Sequence, residues 1–195
     1  MSSILGHGLA GMSLWALARR TPTLRQLEQK AWLAGAATAA CLPDIDALAG
    51  LPHRGPTHTL GFAAGMGALA ALTAAARGLR KEAALIGLTG LLVTWSHPVL
   101  DLLTGGGPDV ALFSPLWSRE FHPMAGGLPL TGYSTEVVGL WGLLFSPETM
   151  SAMLIEGAIF GSLFAATVVR RRGYGIGWAL VGTTLWTLLA LAASR

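Results

Sequence analysis

The stretch LGFAAGMGALAALTAAA, residues 60–76, is followed after a short basic connection by AALIGLTGLLVTWSHPVL, residues 83–100. A helix needs about 20 largely apolar residues to cross a bilayer, and both runs meet or nearly meet that length. The connection between them carries three basic residues, which is typical of a loop at a membrane surface. This pair of runs therefore predicts two membrane-spanning helices joined by a short turn.

Similar apolar runs lie on both sides of this pair. Residues 150–169 and 174–193 are long enough to span, and residues 4–18 form a shorter candidate span. Two runs, 31–42 and 137–145, are only about half that length and stop at or close to a proline. Backbone of this kind is tolerated in a membrane only inside a protein bundle or at its edge, so we expect short broken or re-entrant helices there.

The composition agrees with a membrane protein. Hydrophobic residues make up 52% of the 195, charged residues only 12%, about half the charge of a soluble domain. The high mean hydropathy of +0.56 excludes an intrinsically disordered chain. We therefore expect one integral membrane domain, residues 1–195, with an all-α fold: a polytopic transmembrane helical bundle of about five spans plus short broken or re-entrant helices.

The basic residues predict how this bundle is oriented. Because Lys and Arg favour the cytoplasmic side, their three clusters should face inward, which places the N-terminus and the loops at 43–58 and 101–136 outside. The pI of 9.6 then reflects topology, and we expect no nucleic-acid partner because no recognition motif accompanies the charge. Ten of the thirteen basic residues form these clusters: Arg19, Arg20, Arg25, Lys30, Arg77, Arg80, Lys81, Arg170, Arg171 and Arg172.

Acidic and histidine side chains are costly in or beside apolar runs, so their positions indicate function. His97 and Asp101 are spaced i, i+4 and should project from one helix face. We count the distance along each helix from its end at the cytoplasmic basic cluster. His7 lies about 17 Å from that end, Asp44 about 20 Å, His97 about 21 Å and His58 about 27 Å. All four depths fall in the outer half of a hydrocarbon core about 30 Å thick. Seven potential ligands thus converge at one level: His7, Asp44, Asp46, His53, His58, His97 and Asp101.

Imidazole and carboxylate donors without thiolate suit a divalent cation such as zinc, with manganese as the other candidate. Seven donors exceed one tetrahedral shell, so one or two ions are expected, with Asp44 or Asp46 as a bridge and the other acid, or a spare histidine, handling protons. Arg54 could stabilise a phosphate or an oxyanion. Thr57 is expected to be a helix N-cap. The alternative is a hydrogen-bonded polar network that only joins helices.

Two other ionisable residues stand apart from this group. Glu156 lies inside the predicted span 150–169 and needs a partner or a cavity that the sequence does not identify. His122, in the string FHP, is expected to lie in a loop.

The motifs follow one another in a characteristic order: His7, LPDID at 42–46, HRGPTH at 53–58, His97 after a serine, and DLLT at 101–104. This order resembles the YdjM-like family of bacterial and archaeal inner-membrane proteins, which are described as metal-dependent hydrolases. The HRGPTH string is its most specific part.

The resemblance covers about residues 5–125 and includes LFSPLWSREFHP at 112–123, whereas the C-terminal spans, about 150–193, carry no matching motif. It implies that all seven residues are metal ligands. The family is distantly similar to zinc phospholipase C and P1-type nucleases, which favours a phosphoester substrate. Ala47 stands where family members often carry histidine, which leaves one possible ligand fewer.

The sequence therefore predicts a metal-dependent hydrolase, multi-pass in the cytoplasmic (inner) membrane, whose site opens outward. Asp44, Asp46 and Arg54 are its candidate catalytic residues. Its partners would be the lipid bilayer and a lipid-like ester or phosphoester substrate, attacked by metal-activated water. One alternative is a transporter or metal-handling protein, although the inner halves of the spans offer almost no ionisable residues for an ion path. Another is a structural membrane protein with a stabilising metal.

Overall fold

The computed structural model describes residues 3–25, 27, 29–48, 53–104, 107–123 and 147–169. Within these ranges the regular structure is helical, apart from one isolated bridge between Val110 and Phe121, and the all-α prediction is confirmed there. The helices are α1 Ile4–Ala18, α2 Gln29–Cys41, α3 Ile45–Leu48, α4 Leu60–Ala76, α5 Ala83–Thr104 and α6 Pro147–Val169, with 3-10 turns at Leu42–Asp44 and Pro56–His58.

The apolar runs predict these helices closely. The helices α1 and α4 have the expected bounds, α5 continues to Thr104, and α6 begins a few residues early at Pro147. The half-length run is α2, which ends directly before a 3-10 turn that contains Pro43. The predicted span at 174–193 and the short run at 137–145 lie outside the described residues.

Helix length bears on the number of membrane crossings. Among the described helices, only the segment Ala83–Leu103 is long and apolar enough to cross a membrane, and α1, α4 and residues 153–168 are shorter apolar helices. Seventeen residues of α4 rise about 26 Å, somewhat less than a hydrocarbon core. The prediction of five spans is therefore not confirmed.

Close helix contacts show the direction in which the chain runs. In α1, Gly8 faces Cys41 of α2 and Gly11 faces both Ala40 of α2 and Val93 of α5, so α1 runs antiparallel to both helices. The helix α4 is antiparallel to α5, and a Cβ at Gly67 would lie 2.7 Å from the Gly87 carbonyl oxygen. The N-terminal ends of α1 and α4 therefore lie beside the C-terminal ends of α2 and α5. We call this the site end of the bundle.

The helix α6 packs parallel to α1. Leu5 contacts the position of Gly157, and one turn later Leu9 approaches Gly161. Buried Glu156 accepts a hydrogen bond from the Ser3 backbone N–H at 2.6 Å and another from the Ser3 hydroxyl. Ser3 also caps α1 by accepting from the Gly6 N–H at 3.1 Å. Glu156, whose partner the sequence did not identify, thus ties α6 to the beginning of α1.

The apolar core fills the part of the bundle away from the site end. Trp15 of α1 stacks on Trp32 of α2, with ring centroids 5.1 Å apart. The buried aspartates and histidines lie at the site end instead. The buried core cluster consists of Trp15, Leu24, Ala36, Ala40, Ala74, Ile86 and Val93.

Candidate metal centre

All seven residues predicted from the sequence as ligands meet at the site end. They form a continuous network of imidazole–carboxylate contacts between 3.2 and 3.9 Å. Five of them, His7, Asp46, His58, His97 and Asp101, are at most 1% exposed. The predicted convergence is thus observed, while the ligand role of each residue stays a prediction.

The 3-10 turn after α2 makes the side chains of Asp44 and Asp46 point in different directions. Pro43 lies in the first turn of a 3-10 helix, and Asp44 ends that helix just before α3 begins at Ile45. Residues two apart in a helical turn point about 200° away from each other, because each residue turns by about 100°. Asp44 therefore faces His97 of α5, whereas Asp46 faces the loop that carries His53 and His58.

The helix α5 presents His97 and Asp101 on one face, as their spacing predicts. The His97 Nδ1–H donates to the Ala40 carbonyl oxygen at 2.7 Å. That carbonyl belongs to the last turn of α2, where no further helical N–H follows to bond it. The contact gives the Ala40 carbonyl a hydrogen-bond donor. It also fixes the His97 ring so that the Nε2 lone pair points toward Asp44 and Asp101.

Two carboxylates, those of Asp44 and Asp101, each lie near the same two imidazoles, those of His58 and His97. Asp44 Oδ1 is 3.2 Å from His97 Nε2 and 3.9 Å from His58 Nε2. Asp101 Oδ2 is 3.7 Å from His58 Nε2 and 3.9 Å from His97 Nε2. Ligands at 2.0–2.1 Å from a tetrahedral zinc ion lie about 3.3 Å apart, close to these four distances. Among the described residues, His58, His97 and Asp101 can share one ion, and Asp44 can share one with His7 and His97 or with His53 and His58. We call Asp44, His58, His97 and Asp101 the four-donor set.

The state of these donors also suits a cation. Among the described residues, His58 Nε2 is buried without a hydrogen-bond partner, while Asp44 Oδ1 and His97 Nε2 face each other at 3.2 Å. Burial lowers the pKa of His58 to about 4, with a further contribution from His97 nearby, so its imidazole is neutral at neutral pH. Neutral imidazole is the form that binds metal ions. His58 is therefore in the form that can bind a divalent cation.

His7 and His53 lie on opposite sides of the four-donor set. The His7 ring stacks on His97 at 3.6 Å between centroids, and its Nε2 is 3.4 Å from Asp101 Oδ1. His53 offers a donor within 4.8 Å of those of Asp44 and His58, and His7 does the same with Asp44 and His97. Both histidines can thus contribute to a metal site.

Asp46 lies behind the histidines. Its Oδ1 is 3.2 Å from His53 Nδ1, and its Oδ2 is 3.2 Å from His58 Nδ1. Asp46 Oδ2 also accepts from the Arg54 backbone N–H at 3.0 Å and from the Thr57 hydroxyl at 2.9 Å. None of the metal-competent groups among the described residues includes Asp46.

The Thr57 prediction is corrected here. The residue that caps α4 is Thr59, whose hydroxyl accepts from the Phe62 N–H at 3.2 Å. Thr57 lies in a separate 3-10 turn, Pro56–His58, so the position directly before α4 is Thr59. Thr57 consequently contributes to the site through Asp46.

Arg54 is buried beside the centre. Its Nε lies 3.3 Å from Asp101 Oδ2, and its Nη1 donates to the Pro108 carbonyl oxygen at 2.8 Å. Its backbone is in the left-handed region, with φ of 64°, which turns the Arg54 N–H toward Asp46. The predicted catalytic role of Arg54 remains a prediction; in this structure its guanidinium joins α5 to the loop at 107–108.

That loop needs glycine where it meets Arg54. Gly107 has φ of 81°, and a Cβ there would lie 2.9 Å from Arg54 Cζ. We expect Gly107→Ala to cost about 1–2 kcal/mol for the left-handed backbone and more for the displaced guanidinium. Gly78→Ala is the matched control, since Gly78 has φ of 84° but open space around its Cβ position. Chemical unfolding of both variants measures the difference, and equal losses would show that the Arg54 contact is unimportant.

Among the described residues of the centre, the exposed ones lie on the side of Asp44 and His53. The side chains of Asp44 and His53 are 23% and 18% exposed, whereas those of His58, His97 and Asp101 are fully buried. His122, predicted to lie in a loop, is 84% exposed and contacts Asp109. Access to the four-donor set is therefore past Asp44 and His53.

Sequence reasoning missed the groups that orient the donors. The Ala40 and Pro108 carbonyls come from the backbone, and no side-chain pattern identifies them. The position of Pro43 directly after an apolar helix was an available signal, because the last carbonyls of such a helix need a donor.

Comparison with known proteins identifies the family. A family model described as YdjM inner membrane protein matches residues 1–194. No curated protein and no solved structure gives a match. The match covers nearly the whole chain and agrees with the resemblance carried by the motifs. The chain therefore belongs to the YdjM inner membrane protein family.

Proposed function

We propose that this protein is a membrane-bound metal-dependent hydrolase that cleaves an ester or phosphoester of a lipid-like substrate. The observation that carries the proposal is the four-donor set, with carboxylate–imidazole distances of 3.2 to 3.9 Å and, among the described residues, an accessible side past Asp44. Two imidazoles and two carboxylates suit zinc, and manganese is the other candidate. A catalytic site needs such an accessible side, because substrate and water must reach the ion.

The residues of the chain supply the remaining parts of a hydrolysis. A bound divalent ion would act as a Lewis acid and lower the pKa of a water molecule. His53 lies at the accessible side, and its Nδ1 is held by Asp46, so its Nε2 is placed to accept the proton of the attacking water. The water oxygen bonds to phosphorus or carbon, the ester bond breaks, and the alcohol leaves with a proton.

The surroundings of the centre support an amphiphilic substrate. Large apolar side chains are exposed at the site end, with Ile4 at 56%, Ile45 at 47% and Leu103 at 46%. Ile45 directly follows the accessible Asp44. A substrate with an acyl chain would contact this apolar rim while its polar headgroup lies against Asp44 and His53.

The charge distribution supports a centre that faces away from the cytoplasm. The basic residues Arg19 and Arg20 follow the end of α1 opposite the site end, and Arg77, Arg80 and Lys81 connect α4 to α5 at that same opposite end. By the positive-inside rule this opposite end is cytoplasmic. The N-terminus and the centre would then lie on the extracytoplasmic side of a multi-pass protein.

A reconstitution experiment tests the proposal. Protein in lipid nanodiscs, loaded with zinc or manganese, is expected to hydrolyse at least one member of a panel of phospholipids and soluble phosphoesters. His97→Ala should lose this activity, whereas His122→Ala, which alters an exposed histidine, should keep it. Full metal occupancy without turnover on the panel, or equal turnover by His97→Ala, would contradict the proposal. Metal flux into liposomes would favour the transporter alternative.

A further inference from the structure

We infer that Asp46 is a positioning residue, which holds two imidazoles for the metal centre, and that it does not bind the ion itself. The inference rests on the proposed metal site and departs from the ligand role that the family resemblance implies. The two oxygens of Asp46 contact two different rings, Oδ1 with His53 and Oδ2 with His58. In both cases the contact is made by Nδ1, at 3.2 Å.

The consequence for each ring follows from hydrogen-bond chemistry. A carboxylate oxygen accepts hydrogen bonds, so His53 Nδ1 donates its proton to Asp46 Oδ1. His58 Nδ1 bonds the Thr57 hydroxyl at 3.1 Å, and because that hydroxyl gives its own proton to Asp46 Oδ2, His58 Nδ1 is the donor there too. A neutral imidazole protonated at Nδ1 has its lone pair on Nε2. The Nε2 atoms of His53 and His58 are buried and have no hydrogen-bond partner among the described residues. Asp46 thus sets the tautomer of His53 directly and that of His58 through Thr57, and it leaves both Nε2 atoms open to a cation or a proton.

The surroundings of Asp46 support this role. Its side chain is fully buried, and Oδ2 also accepts from the Arg54 backbone N–H and the Thr57 hydroxyl. The Arg54 donor is available because its backbone has a positive φ of 64°, a conformation that costs energy in a residue other than glycine. Asp44 contrasts with it, since its Oδ1 lies 3.9 Å from the Nε2 of His58 and 3.2 Å from the Nε2 of His97.

Asp44→Asn and Asp46→Asn form a matched pair of variants. If Asp46 only positions the rings, Asp46→Asn should keep the wild-type metal stoichiometry and bind zinc about 10- to 100-fold more weakly. Its Co²⁺-loaded form should keep the wild-type absorption bands, because the ligands are the same. Asp44→Asn should lose stoichiometric metal or shift those bands. Band shifts or metal loss in Asp46→Asn equal to those of Asp44→Asn would overturn the inference.

A second readout does not depend on metal or on activity. In metal-free protein labelled with ¹⁵N-histidine, the side-chain nitrogen shifts report which ring nitrogen carries the proton. We expect His53 and His58 to be protonated at Nδ1 in the wild type and to shift toward Nε2 in Asp46→Asn, with exposed His122 unchanged. If Asp46→Asn does not fold, Thr57→Val removes one hydroxyl donor to Asp46 and should shift His58 alone. Unchanged tautomers in the folded variant would overturn the inference, even if the protein proves to be a hydrolase.

Discussion

His97→Ala is expected to weaken zinc binding by more than about 100-fold, since loss of an outer-shell partner already costs 10- to 100-fold. His97 Nε2 lies closest to Asp44 Oδ1 and also contacts Asp101 Oδ2, so the variant removes one corner of the four-donor set. It also removes the donor to the Ala40 carbonyl, which loosens the junction between α2 and α5. Competition titration against a chelator, with metal analysis of the purified protein, measures the loss.

Controls separate ligand loss from general damage. His122→Ala changes an exposed histidine and should bind metal like the wild type. Asp101→Asn preserves the shape of a buried ligand and should weaken zinc binding to a similar extent as His97→Ala. Its matched control is Asp109→Asn. The metal site would be refuted if His97→Ala and His122→Ala bound zinc equally well while both retained native helix content.

The helices were predictable because apolar runs and their breaks are local features of the sequence. The run at 60–76 begins and ends where α4 does, and Pro43 marks the end of α2. The number of membrane crossings was not predictable in the same way. Mean hydropathy measures how apolar a run is, whereas crossing a membrane also requires a sufficiently long helix. Only one described segment meets both the hydropathy and the length requirement.

The convergence of the seven polar residues was predictable from depth alone, but their separate roles were not. Depth places Asp44 and Asp46 at one level, whereas the direction of each side chain depends on the 3-10 turn between α2 and α3. The cap prediction for Thr57 failed for a similar reason, because the turn at 56–58 delays α4 until Leu60. Irregular turns of three residues leave little signal in hydrophobic periodicity.

Arg54→Met is expected to destabilise the metal-free protein strongly and, unlike His97→Ala, to strengthen zinc binding. The Arg54 side chain is fully buried and lies 3.3 Å from Asp101 Oδ2, and its Nη1 bonds the Pro108 carbonyl. Removing one partner of a buried ion pair costs about 3–5 kcal/mol, so the metal-free variant should lose about that much free energy of unfolding. Chemical unfolding in the presence of a chelator measures it, and Arg119→Met, at an exposed loop position, serves as the control.

The same variant should bind zinc more tightly than the wild type. A bound cation would stabilise Asp101 in place of the guanidinium, so the loss of stability should be smaller in the metal-loaded protein. In a thermodynamic cycle, a difference of about 1.4 kcal/mol between the two losses equals a tenfold gain in zinc affinity. His97→Ala and Arg54→Met should therefore change affinity in opposite directions although both residues contact Asp101. If both variants weakened zinc binding, the electrostatic account of the site would be wrong. The main effect of Arg54 would then be to hold the ligands in place, and the repulsion between its charge and the cation would be the smaller effect.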